Sequence, residues 1–231
     1  MRGSDRFERK GLGRALRFWL AVLSVWILAT SVNAQWIPGE IPLADVLEVL
    51  VVDREILAID AAGGGQTVAR LRLAETVAWK GARGKIGVVI TDQRILAAST
   101  QSGSWQETDF GRVETPPKTA LLGERVALLI TSERALGFDG GSGNLVEYRL
   151  GVDEPVLGAR VGSNVAVVVT GRQALGLSPF VGGFFRVPLN LRDPVQSIDA
   201  ESNLATLTTA RTLMIFRATT GSWEERRREL R

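Results

Sequence analysis

Residues 86–99 read IGVVITDQRILAAS, a β-branched run closed by a threonine, a short polar break and a second apolar run. The same pattern returns as LEVLVVDREILAID at 47–60, VALLITSERALGFD at 126–139, VAVVVTGRQALGLS at 165–178 and LATLTTARTLMIFR at 204–217. The residue closing each first run is Val52, Thr91, Thr131, Thr170 or Thr209, at spacings of 39, 40, 39 and 39. A period this regular is the signature of a repeat architecture, and the unit is two short strands joined by a tight turn.

The phase holds beyond the hairpin. Five residues after each anchor stands a large apolar side chain, Leu57, Leu96, Leu136, Leu175 or Met214. Twelve residues after it stands Gly64, Gly103, Gly143, Gly182 or Gly221, where a second turn needs positive φ. A third extended run opens two residues later at Gln66, Trp105, Leu145, Phe184 or Trp223. A fourth, beginning near Glu75, Glu114, Glu154 or Asp193, leads into the next anchor. Alternation of β-formers with Gly, Pro, Asp and Ser makes each unit four strands, and no segment after residue 34 has helical periodicity. A four-stranded sheet of this size cannot bury two faces alone, whereas copies packed face to face can. The expected fold is all-β: a five-bladed β-propeller of four-stranded antiparallel blades over residues 35–231, following a signal peptide at 1–34.

DREILAIDAAGGG, ERALGFDGGSGNL and the Gly-Ser-Trp turns at 103–105 and 221–223 resemble the PQQ-type and related propeller repeats. Blades of that family commonly carry Ala-x-Asp-x-x-x-Gly followed by Trp. Asp60 and Asp139 match the family's aspartate, whereas Ser99, Ser178 and Arg217 replace it, and Trp stands in two copies. The resemblance implies a fold and no activity; no cofactor is expected.

The first 34 residues carry six basic and two acidic side chains, followed by an apolar run from Phe18 to Thr30. Thirteen residues of helix span about 20 Å, short of the roughly 30 Å of a bilayer core. Small residues at Val32 and Ala34 fit a signal-peptidase site, so cleavage is expected after Ala34 and the mature chain in the periplasm or outside the cell. The alternative is an uncleaved membrane anchor. Without the leader, 22 basic residues face 23 acidic ones, a net of −1, so the basic balance belongs to the leader and not to a nucleic-acid surface. The absence of His and Cys excludes disulfides, catalytic triads and the usual zinc, haem and iron–sulfur sites.

Two sets of residues are candidates for function. A polar rim is expected from one arginine per first hairpin, Arg54, Arg94, Arg134, Arg172 and Arg211, beside Glu75, Glu114, Glu154 and Asp193. This rim is either a set of inter-blade ion pairs or the mouth of a site for an anion, a sugar or a partner loop. Trp105, Phe184, Phe185 and Trp223, near the glycine turns of the other face, either wedge between blades or stack on a ligand. A glycosidase would need only two carboxylates, from among Glu75, Glu154, Asp193 and Asp199. Acids recurring at equivalent positions in every blade fit a structural role better. The expected function is a non-catalytic protein-binding scaffold, with a carbohydrate-binding propeller as the alternative. The segment Gln35 to about Asp45, QWIPGEIPLAD, is expected as the innermost strand of the first blade, and its two prolines predict a weak seam between first and last blades.

Overall fold

The computed structural model describes residues 46–152 and 154–228; the expected leader and the segment 35–45 lie outside them. Among the described residues nineteen strands form five antiparallel meanders, each strand pairing with its neighbour in sequence. Blade 1 is β1 (Leu47–Val52), β2 (Glu55–Asp60) and β3 (Gln66–Arg70). Blade 2 is β4 (Val77–Arg83), β5 (Ile86–Thr91), β6 (Arg94–Ser99) and β7 (Gln106–Asp109). Blade 3 is β8 (Leu121–Leu122), β9 (Val126–Ile130), β10 (Arg134–Asp139) and β11 (Asn144–Arg149). Blade 4 is β12 (Val156–Val161), β13 (Ala166–Thr170), β14 (Gln173–Leu177) and β15 (Phe184–Pro188). Blade 5 is β16 (Val195–Glu201), β17 (Leu204–Thr209), β18 (Thr212–Arg217) and β19 (Ser222–Arg227). The architecture is the all-β one expected, five blades of propeller type, with blade 1 showing three strands among the described residues.

Burial separates the inner blades from the outer two. Every residue of β5, β6 and β13 is buried, as is nearly all of β9, β10 and β14, so the middle strands of blades 2, 3 and 4 are covered on both faces. In β1, β2, β17 and β18 burial alternates instead, and only one face is covered. Four apolar clusters hold the blades together, between 1 and 2, 2 and 3, 3 and 4, and 4 and 5. None of the four joins blade 5 to blade 1.

The sequence carries the reason. Four residues before the anchor, the strand presses on the preceding blade, and this position holds Gly87, Ala127, Ala166 and Ala205 in blades 2 to 5. A Cβ on Gly87 would stand 2.4 Å from Val49 and 2.6 Å from Leu47 of blade 1. Blade 1 has the exposed Glu48 there. Six residues after the anchor the chain meets the following blade, and Ala58, Ala97, Gly137 and Gly176 keep it small; a Cβ on Gly176 would lie 2.5 Å from the Phe216 ring. Blade 5 has Ile215 there, together with Thr206 and Thr208 where blade 2 has Val88 and Ile90. The faces of blades 1 and 5 that meet no other blade in these four clusters are thus bulkier or more polar than the inner ones.

Two further devices repeat. The turns joining the first and second strands of successive blades hydrogen-bond to one another, Lys85 N to Glu124 O at 2.9 Å, Arg125 N to Ser163 O at 3.0 Å and Asn164 N to Ser202 O at 2.7 Å. This approach is so close that a Cβ on Gly123 would fall 2.1 Å from the Gly162 carbonyl oxygen. The second device caps the turn after the third strand. The five phased glycines all have positive φ, from 60° to 74°, and Asp60 and Asp139 accept the turn amides at 2.8–3.0 Å. Ser99 and Ser178 do the same with a hydroxyl, at 3.0–3.3 Å. Serine can therefore stand for the repeat's aspartate. The Arg217 side chain does not take this part and pairs with Glu224 instead, at 2.8 Å.

Two outcomes are expected. Backbone amides of β5, β6, β9, β10, β13 and β14 should outlast those of β1, β2, β17 and β18 in hydrogen exchange; equal protection in all five blades would contradict the burial pattern. Gly123→Val should destabilise by more than about 4 kcal/mol, whereas Gly171→Ala, with nothing within 4 Å of the added carbon, should stay within about 1 kcal/mol in urea unfolding.

Candidate functional site

Each inter-blade connection ends in an acid, and the hairpin of the next blade grips it. The Glu75 carboxylate receives the Thr91 hydroxyl at 2.8 Å and Arg94 Nε and Nη2 at 2.8 and 3.0 Å, and also accepts the Arg72 amide. Glu75 and Arg94 are only 6% and 5% exposed. The same guanidinium reaches Glu107 on β7 and, at 2.7 Å, the Arg70 carbonyl of blade 1. One side chain thus ties a connection, an outer strand and the preceding blade. Blade 3 repeats it: Arg134 holds Glu114 at 2.8 and 3.0 Å, Glu147 at 2.6 Å and the Asp109 carbonyl at 2.6 Å. In blade 4 the neutral Gln173 replaces the arginine, donating to Glu154 at 3.1 Å and accepting from Tyr148 of blade 3 at 3.1 Å. In blade 5 the position is Thr212, and Asp193 keeps the Thr209 hydroxyl at 2.6 Å.

The five arginines are not equivalent, which corrects the expectation of one rim. Arg94 and Arg134 stand three residues after their anchors and form the buried grips. Arg54, Arg172 and Arg211 stand two after, at the turn tips, and are exposed; Arg54 reaches the Leu71 carbonyl, at 3.1 Å. Counting from the threonine to each arginine separates the sets in the sequence alone. Likewise Glu75, Glu114 and Asp193 are buried, so the acids sit under the rim rather than on it.

Their protonation follows from these contacts. Burial pushes the Glu75 carboxyl up, but the Arg94 guanidinium, the Arg72 amide and the Thr91 hydroxyl outweigh it and hold the group below the ordinary range. Glu114 is held low in the same way, by Arg134, the Gly111 amide and Thr131 against burial. The Thr170 hydroxyl does most to lower Glu154, opposed by burial and helped by the Gly151 amide and Gln173.

The aromatic candidates lie between blades. Trp105 donates its indole N–H to Thr67 of blade 1 at 3.2 Å, and Trp223 donates to Phe185 of blade 4 at 2.9 Å. Phe216 of blade 5 lies against both Trp223 and Phe185, its ring centroid 5.1 Å from the first and 6.1 Å from the second. Phe184 meets Tyr148 edge-on, centroids 6.4 Å apart. Asp199 is exposed on β16 and lines a surface recess of about 560 Å³ with Asn203 and Thr206.

One feature escaped the sequence reading. The connections between blades expose an aliphatic side chain each: Leu73 is 84% exposed, Val113 81%, Val152 88% and Leu191 77%. All sit at the tip of a tight turn whose fourth residue is the gripped acid, closed by Glu75 N to Arg72 O, Glu114 N to Gly111 O, Glu154 N to Gly151 O and Asp193 N to Asn190 O at 2.9–3.1 Å. The signal was legible, one or two residues before each acid. Strand ends and turns on this side are bonded to one another, as Leu71 N to Arg54 O and Asp92 N to Thr76 O show, so the aliphatic tips and the exposed arginines share one face. A cleft of about 590 Å³ opens on it between Phe110, Glu133, Arg149 and Val152. Among the described residues no group of three or more Asp, Glu, His or Cys could hold a metal ion, and no helix is long and apolar enough to cross a membrane.

No family model matches the chain, and no curated protein matches it by sequence. Solved structures do align. The WD40 domain of SCAP from fission yeast is 10% identical, with 82% of this chain and 57% of that one covered, at a TM-score of 0.34. HIRA is 10% identical over 79% of this chain and 56% of that one, at 0.38. PorZ, a surface component of the type-IX secretion system of Porphyromonas gingivalis, is 10% identical over 80% of this chain and 26% of that one, at 0.38. The chain spans less than two thirds of each.

Arg94→Met should cost about 3–5 kcal/mol by stranding the buried Glu75, whereas Arg54→Ala, Arg172→Ala and Arg211→Ala should each stay within about 0.5 kcal/mol. The lowered acids also set a pH dependence. A carboxyl whose folded pKa lies below its unfolded one stabilises fully above the unfolded value, about 4.3, and loses that contribution as pH falls through the folded one. Urea stability should therefore hold from pH 7 to about 5 and drop below it, less steeply in Glu75→Gln.

Proposed function

We propose that the chain is an exported, non-catalytic binding and scaffolding module, acting on a protein partner in the periplasm or outside the cell. The observation that carries this reading is the fate of the repeated acids. Glu75, Glu114 and Asp193 are buried and Glu154 is half-buried; Glu75, Glu154 and Asp193 accept the threonine hydroxyl of their own blade, and Glu114 accepts the Arg134 guanidinium. Glycoside cleavage needs one carboxyl held protonated at neutral pH beside a second facing the same bond. Three of these four are instead held ionised and turned toward their own hairpins. They fasten blades. What is left for other molecules is the face that fastening builds, a set of rigid turns with charged and aliphatic tips. The export reading rests on the leader: its basic start, its short apolar run and the small residues before Gln35.

N-terminal sequencing of the chain recovered from a bacterial envelope should begin at Gln35; a start at Met1 would replace the cleaved leader with an anchor. Cross-linking in that envelope should recover one protein in near-stoichiometric yield. A panel of chromogenic glycosides should stay uncleaved. Turnover abolished by Glu154→Gln or Asp193→Asn would overturn the reading, and saturable binding to common cell-wall sugars would favour a carbohydrate-binding propeller.

A further inference from the structure

One position on the first strands of the blades breaks the repeat. Lys80 of β4 stands opposite Val89, two residues before the anchor, and its counterparts in register are Ala120 just ahead of β8, Ala159 of β12 and Ile198 of β16. Those three belong to the apolar clusters that join blades 3, 4 and 5 to the blades before them. Ile198 shows what such a side chain packs on, since a Cβ on Gly158, in the first strand of blade 4, would stand 2.7 Å from its Cδ1. Blade 1 shows no strand of that kind among the described residues. Facing it stands an exposed lysine instead, whose Nζ donates to the Val49 carbonyl of β1 at 3.0 Å.

That carbonyl lies on an open sheet edge. Ala61 N donates to Val46 O, so the ladder between β1 and β2 runs through Val46, Glu48, Leu50 and Val52, and the backbone groups of Leu47, Val49 and Val51 point away from β2. In blades 2, 4 and 5 the residue equivalent to Val49 has a first-strand partner: Val88 has Gly81, Val167 has Arg160 and Thr206 has Asp199. In blade 1 the Gly84 carbonyl takes Leu47 N at 3.1 Å, and Lys80 takes Val49 O. Apart from Glu48, Leu47 to Val52 is all leucine and valine, a stretch suited to accept another strand along such an edge.

We propose that Lys80 is an edge guard, closing the free side of β1 to a strand of a second copy of this chain. Its ammonium holds the middle acceptor of the edge. An incoming strand has to displace it and bury a charge against backbone without a partner for it. Lysine suits the task because its apolar stem can lie along the strand while the charged head meets the carbonyl. Charged side chains, lysine above all, are a recurrent defence of exposed edges against strand-to-strand association. The alanine or isoleucine that serves the other three blades would cover nothing here.

In the purified full-length protein, Lys80→Met keeps most of the stem and removes the charge. The side chain is exposed, so the fold is retained, checked by an unchanged unfolding midpoint. Sedimentation should show Lys80→Met associating at concentrations about tenfold or more below those of the unaltered chain, whereas Lys80→Arg should match the unaltered chain. Hydrogen exchange locates the contact. In the unaltered chain the Val49 and Val51 amides should exchange faster than those of Val88 and Ile90, their equivalents in β5. In associated Lys80→Met their exchange should slow by about tenfold or more, while the amides of β3, at the other edge of the sheet, stay unchanged. A Lys80→Met chain no more associated than the unaltered one would overturn the proposal. So would equal association of Lys80→Arg, or association that protects β3 in place of β1. Val49 and Val51 amides as protected as those of β5 in the unaltered chain would overturn it too, since a strand, not Lys80, would then close the edge.

Discussion

Each inner blade of this protein has two apolar faces and too few residues to cover either, so burial of one blade against the next is the constraint on which everything else depends. Removing a Val, Leu or Ile side chain from water contributes about 1.5–3 kcal/mol, and the middle strands of blades 2 to 4 do so on both sides. The gain requires close approach, and close approach requires small residues at fixed places: Gly87, Gly137 and Gly176 on the strands, Gly123 in the turn. Where no further blade follows in the described residues, those places hold Glu48 and Ile215 instead.

Close packing of apolar faces is non-directional, and the polar grips supply the orientation it lacks. Arg94 and Arg134 each hold an acid, an outer strand and a carbonyl of the blade before. A buried guanidinium with its carboxylate contributes little net stability over an apolar pair, but it accepts only one arrangement of blade on blade. Along the chain this device weakens: arginine in blades 2 and 3, glutamine in blade 4, threonine in blade 5. The threonine that accepts the turn amides persists in all four, because the hairpin needs it regardless of what grips the acid.

Much of this was legible in the sequence, because the 39-residue period fixes which residues are equivalent. The anchors, the positive-φ glycines and the acids all fall where their spacing puts them. The arginines misled because their offset from the anchor differs by one residue, and in a hairpin one residue separates a buried side chain from an exposed tip. The aromatic residues were ambiguous for a different reason. Trp105 and Trp223 follow a turn and look exposed by pattern, yet their indoles bond to a strand of the preceding blade, and no local pattern encodes that contact. The exposed aliphatics of the connections are invisible to any rule that reads apolar residues as core.

The identity of the residues at the blade faces has a consequence for how such a chain can lengthen or shorten. Since every inner interface joins the same two kinds of surface, a unit copied between blades 2 and 4 would find complementary neighbours on both sides. The same unit set against Ile215 or Glu48 would meet a bulkier or charged side chain where the inner interfaces have glycine or alanine. Duplication in the middle of the array therefore keeps the pattern of small residues that close packing needs, whereas an interface made through Glu48 or Ile215 would need a partner surface of a different kind.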